Sequence, residues 1–205
     1  ARMEFTRSFR NIGRAFTHPD LRAIFLVVFL FQAGFAFFVT FFSVFLIDRF
    51  GWSQGNIGDF FAYIGIWIVF GQAVVTRRVS HLFKEFQVLR FSILATGFFV
   101  ALYYFPDNPW QLFFIAPFFS IFQGLTQANI LGLISRNASP KVQGEVLGLN
   151  ASVQAFAQGI VPVFAGIVAA SFASWAPIIV ASFLICLAWF CFVVLYRPDI
   201  PPMRS

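Results

Sequence analysis

Long stretches without charge alternate along this chain with short polar breaks, and the rhythm fixes where helices start and stop. A helix that crosses a bilayer needs about 20 mainly apolar residues. The pattern predicts six of them. The first, Ala23 to Ile47, has no charge; the second, about Gln54 to Thr76, is interrupted only by Asp59. The third, about Phe86 to Phe105, carries Arg90 in its first turns, and the fourth, about Pro109 to Ser135, is uncharged. The fifth runs from about Val146 to Ala170 and the sixth from about Ala176 to Tyr196. The breaks are short: Asp48 to Ser53 with Gly51, Pro106-Asp107-Asn108-Pro109, and Ser171 to Trp175. Such loops force consecutive helices to lie antiparallel in one bundle. The expected fold class is therefore an all-α membrane protein, a six-transmembrane-helix bundle over residues 21–196 with a segment 1–20 before it and a tail 197–205 after it.

The leading segment has its own pattern. Phe5, Phe9, Ile12 and Phe16 share a narrow arc at about 100° per residue, with Arg7, Arg10 and Arg14 opposite. This predicts an amphipathic helix on the membrane surface, arginines toward anionic head groups; the plainer reading is a linker. The chain starts at Ala1, which reads as a cut through a longer chain.

Composition agrees with the pattern. Apolar residues make up 60% and charged residues 11% of the 205 positions, against about 45–50% and 25% in soluble domains. Phenylalanine, 33 residues, suggests broad lipid-facing surfaces. The formal charge of +6 raises the question of nucleic acid, but the basic residues sit between and outside the apolar runs and form no basic face. On the alternating topology every lysine and arginine except Arg49 falls on one side of the membrane. The positive-inside rule then places both termini in the cytoplasm, in the cell (plasma or inner) membrane.

Polar groups at depth are costly unless they face other helices or a wet cavity, so their positions carry information. The carboxamides are unevenly shared. Gln32 lies in the first span, Gln72 in the second, Gln123, Gln127 and Asn129 in the fourth, and Asn150, Gln154 and Gln158 in the fifth, four apart along one face. The third span has only Gln87, at its mouth, and the sixth has none. Spans one, two, four and five are expected to line a polar centre, with three and six outside; the alternative is that the amides join helices in a static bundle. Pro117 and Pro162 free backbone carbonyls and permit bending in the fourth and fifth spans. Gly144, Gly148, Ala151, Ala155 and Gly159 form a small-residue ridge suited to close packing. Asp59 is the one carboxylate inside a span and a possible proton site; its shallow depth also fits a hydrated acid at a helix start.

Enzyme chemistry finds no support in the chain. Gly-x-Ser-x-Gly, His-Glu-x-x-His and a phosphate-cradling glycine loop are all missing, and His18 and His81 fall in loops. Cys186 and Cys191 stand five apart on one helix and point in different directions, so neither a disulfide framework nor a metal site is expected. No cofactor is implied.

Inner spans one, two, four and five with outer spans three and six form the pattern of one half of a major facilitator superfamily transporter. The chain resembles the C-terminal halves of the drug–proton antiporters of the tetracycline-exporter-like group. One stretch is Arg49-Phe50-Gly51-Trp52-Ser53, then Ile57-Gly58, Gly65, Gln72, and Arg77 to Val88 with Lys84-Glu85. A second is Gln143-Gly144-Glu145-Val146-Leu147-Gly148-Leu149, then Gly159-Ile160-Val161-Pro162 and Gly166. His18-Pro19-Asp20-Leu21-Arg22 is similar to the entry of the group's seventh helix. There are departures: Val161-Pro162 replaces a common Gly-Pro, Lys84 stands where glycine is frequent, and Ile93-Leu94-Ala95-Thr96 lacks the acid of tetracycline exporters.

The resemblance implies an N-terminal six-helix half as partner, a small, amphipathic substrate moved by alternating access, and coupling to protons in the direction of efflux. It also implies that the coupling acid sits in that other half, with Asp59 as the outside candidate. The expected cavity lining is Gln32, Gln72, Gln123, Gln127, Asn150, Gln154 and Gln158. The alternative is a complete six-span protein, working as a homodimer or as the membrane subunit of an ATP-driven transporter.

Overall fold

The structure is a computed structural model and describes residues 19–137, 143–171 and 173–196. The amphipathic pattern from Phe5 to Phe16, Lys141 and the tail from Arg197 lie outside the described residues. Regular structure among the described residues is entirely helical. The helices are Pro19–Phe50, Gln54–Phe70 with its continuation through Gly71–Val75 and Thr76–Leu82, Glu85–Leu102, Pro109–Asn137, Gln143–Ser171 and Ala176–Leu195. Six spans within them are long and apolar enough to cross a membrane, as the apolar runs require.

The boundaries follow from local chemistry. Gly51 takes φ 64°, the left-handed conformation, and its N–H donates to the Ile47 carbonyl at 2.9 Å, closing the first helix. Ser53 opens the second by accepting from the Asn56 N–H. Pro109 stands at the first position of the fourth, where a missing N–H costs nothing. Asn108 caps that helix by accepting from the Trp110 N–H at 3.1 Å, and Gln111 reaches back to the N–H groups of Asp107 and Asn108. Gln87 serves the third span in the same way, accepting from the Lys84 N–H.

Two stretches depart from the sequence pattern. The third helix stops at Leu102, before the apolar Tyr103-Tyr104-Phe105, because Pro106 disfavours the α conformation at Phe105. Those residues form i to i−3 turns instead, Phe105 N–H donating to the Leu102 carbonyl. The second helix is interrupted by a π segment, Gly71–Val75, where Thr76 Oγ1 donates to the Gly71 carbonyl at 3.1 Å.

The spans form a row of four with two behind. The second packs on the fourth, the first on the fifth, and the first touches the fourth along a narrow seam. The third bridges the fourth and the sixth, and the sixth packs broadly on the first. The first span is thus the hub, 61% buried in its apolar window, while the second and fifth are 22% and 17% buried. Spans three and six stand behind the row, while two and five, at its ends, are the least buried.

Lipid is as apolar as leucine, so interior packing must supply the cohesion. Aromatic rings supply much of it toward the Arg49 end. Phe42 stacks on Phe38 at 4.4 Å and meets Tyr103 edge-on at 4.9 Å; Phe38 meets Phe119 at 5.1 Å and Phe60 meets Phe113 at 5.0 Å. Each pair is worth about 0.5–1.5 kcal/mol beyond area burial. Phenylalanine therefore also fills the interior, in addition to the exposed set that includes Phe91, Phe98, Phe114 and Phe183.

Loop contacts fix the two ends. Arg49 pairs with Asp107 at 2.9 Å and stands over the rings of Phe45, Phe50 and Tyr104, while Ser174 donates to Asp48. Three loops therefore meet at one end. At the other, Arg136 in the last turn of the fourth span pairs with Glu85 at the start of the third at 2.9 Å.

Candidate functional site

The fourth span carries the centre of the site. Gln127 Nε2 donates to Gln32 Oε1 at 3.2 Å, bridging the seam between the fourth and first spans. Gln32 is 2% exposed and Gln127 half-buried, so the bond sits at the lip of the interior. One turn away Gln123 is also 2% exposed, and its Oε1 has no partner among the described residues. Ser120 continues this column, fully buried with an unpartnered Oγ. Residues spaced three and four apart share a helix face, so Ser120, Gln123 and Gln127 form one polar strip. Buried polar atoms are normally satisfied, and two adjacent unpartnered oxygens mark a place suited to a donor.

The fifth-span amides divide. Asn150 is 5% exposed with an unpartnered Oδ1, Gln154 is half-buried and Gln158 is exposed. Steps of four advance about 40° each on a helix, so the three drift from the first-span contact to the open side. Gln72 is exposed on the π segment, its Cγ close to Gly124. The structure therefore joins Gln32 to Gln127 directly and sets Gln123 beside them. It keeps Asn150, Gln154, Gln158 and Gln72 on flanking helices without a bond to that pair. Asn129 turns back on its own helix, Nδ2 donating to the Leu125 carbonyl at 2.8 Å.

Asp59 is exposed on the second span, with no ion pair to a described residue. Pro117 and Pro162 lie inside continuous helices. The small-residue ridge requires a correction. A Cβ added at Gly144, Gly148 or Gly159 would meet nothing within 4 Å, and Ala151 and Ala155 are exposed. The ridge faces away because the fifth span turns Val146, Leu149, Ala157, Val161 and Ala165 into the apolar interior instead. Gly58 and Gly65 on the second span are equally open.

A second polar group, of hydroxyls, was missed by attention to carboxamides. Thr126 Oγ1 lies 2.9 Å from Ser92 Oγ, Thr96 donates to the Ser92 carbonyl at 2.8 Å, and Ser182 donates to the Gly97 carbonyl at 2.9 Å. The Thr126–Ser92 contact ties the third span to the fourth and the Ser182 bond ties it to the sixth, while the Thr96 bond stays within the third. The four-residue spacing of Ser92 and Thr96 was the available signal. Among the described residues no cluster of three or more His, Cys, Asp or Glu side chains could hold a metal ion.

Comparison with known proteins agrees with this architecture. A search of curated proteins gives no match. The family model of the Major Facilitator Superfamily matches residues 24–205, which takes in all six spans. Helical bundle, topology and family match converge: the chain belongs to the major facilitator superfamily, whose members are membrane transporters.

Proposed function

We propose that this chain is the C-terminal six-helix half of a secondary active transporter. It moves a small, amphipathic molecule by alternating access, rocking against an N-terminal half, with coupling to protons in the direction of efflux. The basic loops then face the cytoplasm and Arg49 the outside. The observation that carries this reading is the one-sidedness of the bundle. On spans two and five, Gly58, Gly65, Gly144, Gly148 and Gly159 face no neighbour among the described residues and Ala151, Ala155 and Gln158 are exposed, on the two helices that flank the Gln32–Gln127 seam. A second bundle laid on that row would enclose the seam between two halves, where such transporters hold substrate. Gln32, Gln123 and Gln127 would bind it at the centre, with Gln72, Asn150, Gln154 and Gln158 on the rim.

The test is substrate movement by the full-length protein in vesicles with an imposed proton gradient. Alanine at Gln127 and at Gln154 is expected to reduce transport, Gln127 more, and dissipating the gradient to abolish accumulation. Unchanged transport in both variants would defeat the lining role, and transport indifferent to the gradient would defeat proton coupling.

A further inference from the structure

Pro117 has no N–H, so the carbonyl four residues earlier, that of Phe113, loses its helical donor. In hydrocarbon no water replaces that donor, and an unbonded carbonyl is costly. The second span provides one: Tyr63 donates its hydroxyl proton to the Phe113 carbonyl oxygen at 3.3 Å. Its ring is held for the task, tilted against the Phe113 ring at 5.4 Å and edge-on to Trp67 at 6.2 Å. We infer that the Tyr63 hydroxyl takes the place of the missing amide hydrogen, and that through it the second span holds the angle of the fourth at Pro117.

The geometry gives this bond leverage. About eight residues from Tyr63, roughly 12 Å along the helix, the two spans meet backbone to backbone. A Cβ at Gly71 would stand 3.0 Å from Ile121 Cα, and one at Gly124 3.0 Å from the Ile68 carbonyl oxygen. The fourth span is therefore clamped to the second on both sides of Pro117, by a close crossing on one side and a side-chain hydrogen bond on the other. The crossing is steric and permanent. The hydroxyl bond is long and can be exchanged. Gln123 and Gln127 lie beyond the proline from Phe113, so a change of angle at Pro117 would shift them relative to Gln32. Tyr63 is thus a positioning residue for the amide seam, acting from outside it.

The experiment is a double-mutant cycle on the full-length protein in lipid nanodiscs. Y63F removes the donor; P117A restores the backbone N–H and makes the tyrosine redundant. Y63F is expected to lower the thermal midpoint in the Pro117 background and leave it unchanged in the P117A background. Should P117A fail to insert, P117S restores the same N–H and replaces it. Equal losses in both backgrounds, or none in either, would overturn the inference. The transport arm rests on the proposed function: Y63F should slow turnover roughly three- to tenfold, the range of one hydrogen bond, with KM unchanged. A rise in KM at constant turnover would overturn the positioning role. If the parent protein transports nothing in any gradient, the functional reading fails, while the thermal cycle still decides the role of Tyr63.

Discussion

Two glycines on the faces that meet the sixth span separate a rigid obstacle from a yielding one. A Cβ at Gly34 would lie 2.8 Å from the Ala181 carbonyl oxygen, 3.2 Å from the Ile185 nitrogen and 2.7 Å from Ile185 Cγ1. One at Gly97 would lie 2.9 Å from Cys186 Sγ and 3.2 Å from Ile185 Cγ2. An ordinary C···O contact is about 3.3 Å or more, so Gly34→Ala must part the first and sixth spans by about 0.5 Å. A gap of that size forfeits about a quarter of each contact's attraction. A fully buried side chain such as Ile185 has about 50 contacts of ~0.15 kcal/mol, and with about half of them facing the first span the loss there is roughly 1 kcal/mol. Exchanging glycine for alanine in a helix returns about 1 kcal/mol. Other residues at the interface add to the loss, so Gly34→Ala should destabilise by about 1–3 kcal/mol. Gly97→Ala should cost less, because a thiol can rotate away. The assay is reversible denaturant unfolding in mixed micelles. The discriminating step is rescue: Cys186→Ala should repair Gly97→Ala, whereas Ile185→Ala should not repair Gly34→Ala, since the Ala181 carbonyl remains. A Gly34→Ala protein as stable as its parent, or one repaired at Ile185, would refute the reasoning.

Three further outcomes are expected. Gln32→Leu alone should destabilise by about 1–3 kcal/mol by stranding Gln127, whereas Gln32→Leu with Gln127→Leu should come close to neutral in unfolding measurements while losing transport. Asp107→Asn should change stability by less than about 0.5 kcal/mol, because the carboxylate of the Arg49 pair is 94% exposed; Glu85→Gln should cost more, its side chain being 19% exposed, and salt titration of unfolding separates the two. A cycle on Ser92→Ala and Thr126→Val should return a coupling of about 0.6 kcal/mol, as for other interhelical bonds in membranes.

The spans were legible because their ends are written in residues with a single physical meaning. Gly51 can take a positive φ, Asn108 and Pro109 start a helix, and charge is absent between. The carboxamides stood out for a related reason, since a carboxamide in hydrocarbon needs a partner or water. What could not be read was pairing. Gln127 meets Gln32 because two helices cross there, and the drift of about 40° per four-residue step does not tell which end of the Asn150–Gln158 series the first span covers. The fifth-span ridge was rightly seen as small-sided, but its lack of a neighbour in this bundle depends on which face the first span covers. The turn at Tyr103 to Phe105 was hidden by apolar residues, and only Pro106 betrayed it.

The π segment of the second span has a consequence for the arginines that follow it. Counted at about 100° per residue from Ile57, an unbroken α-helix would bring Arg78 onto the stripe of Phe60 and Ile64, against the fourth span. The additional residue at Gly71–Val75 rotates everything after it by roughly one position. Arg77 and Arg78 are turned outward and exposed, while Thr76 and Val79 inherit the sheltered side. Deleting one residue between Gln72 and Val75 would undo that rotation and press a guanidinium into the apolar contact.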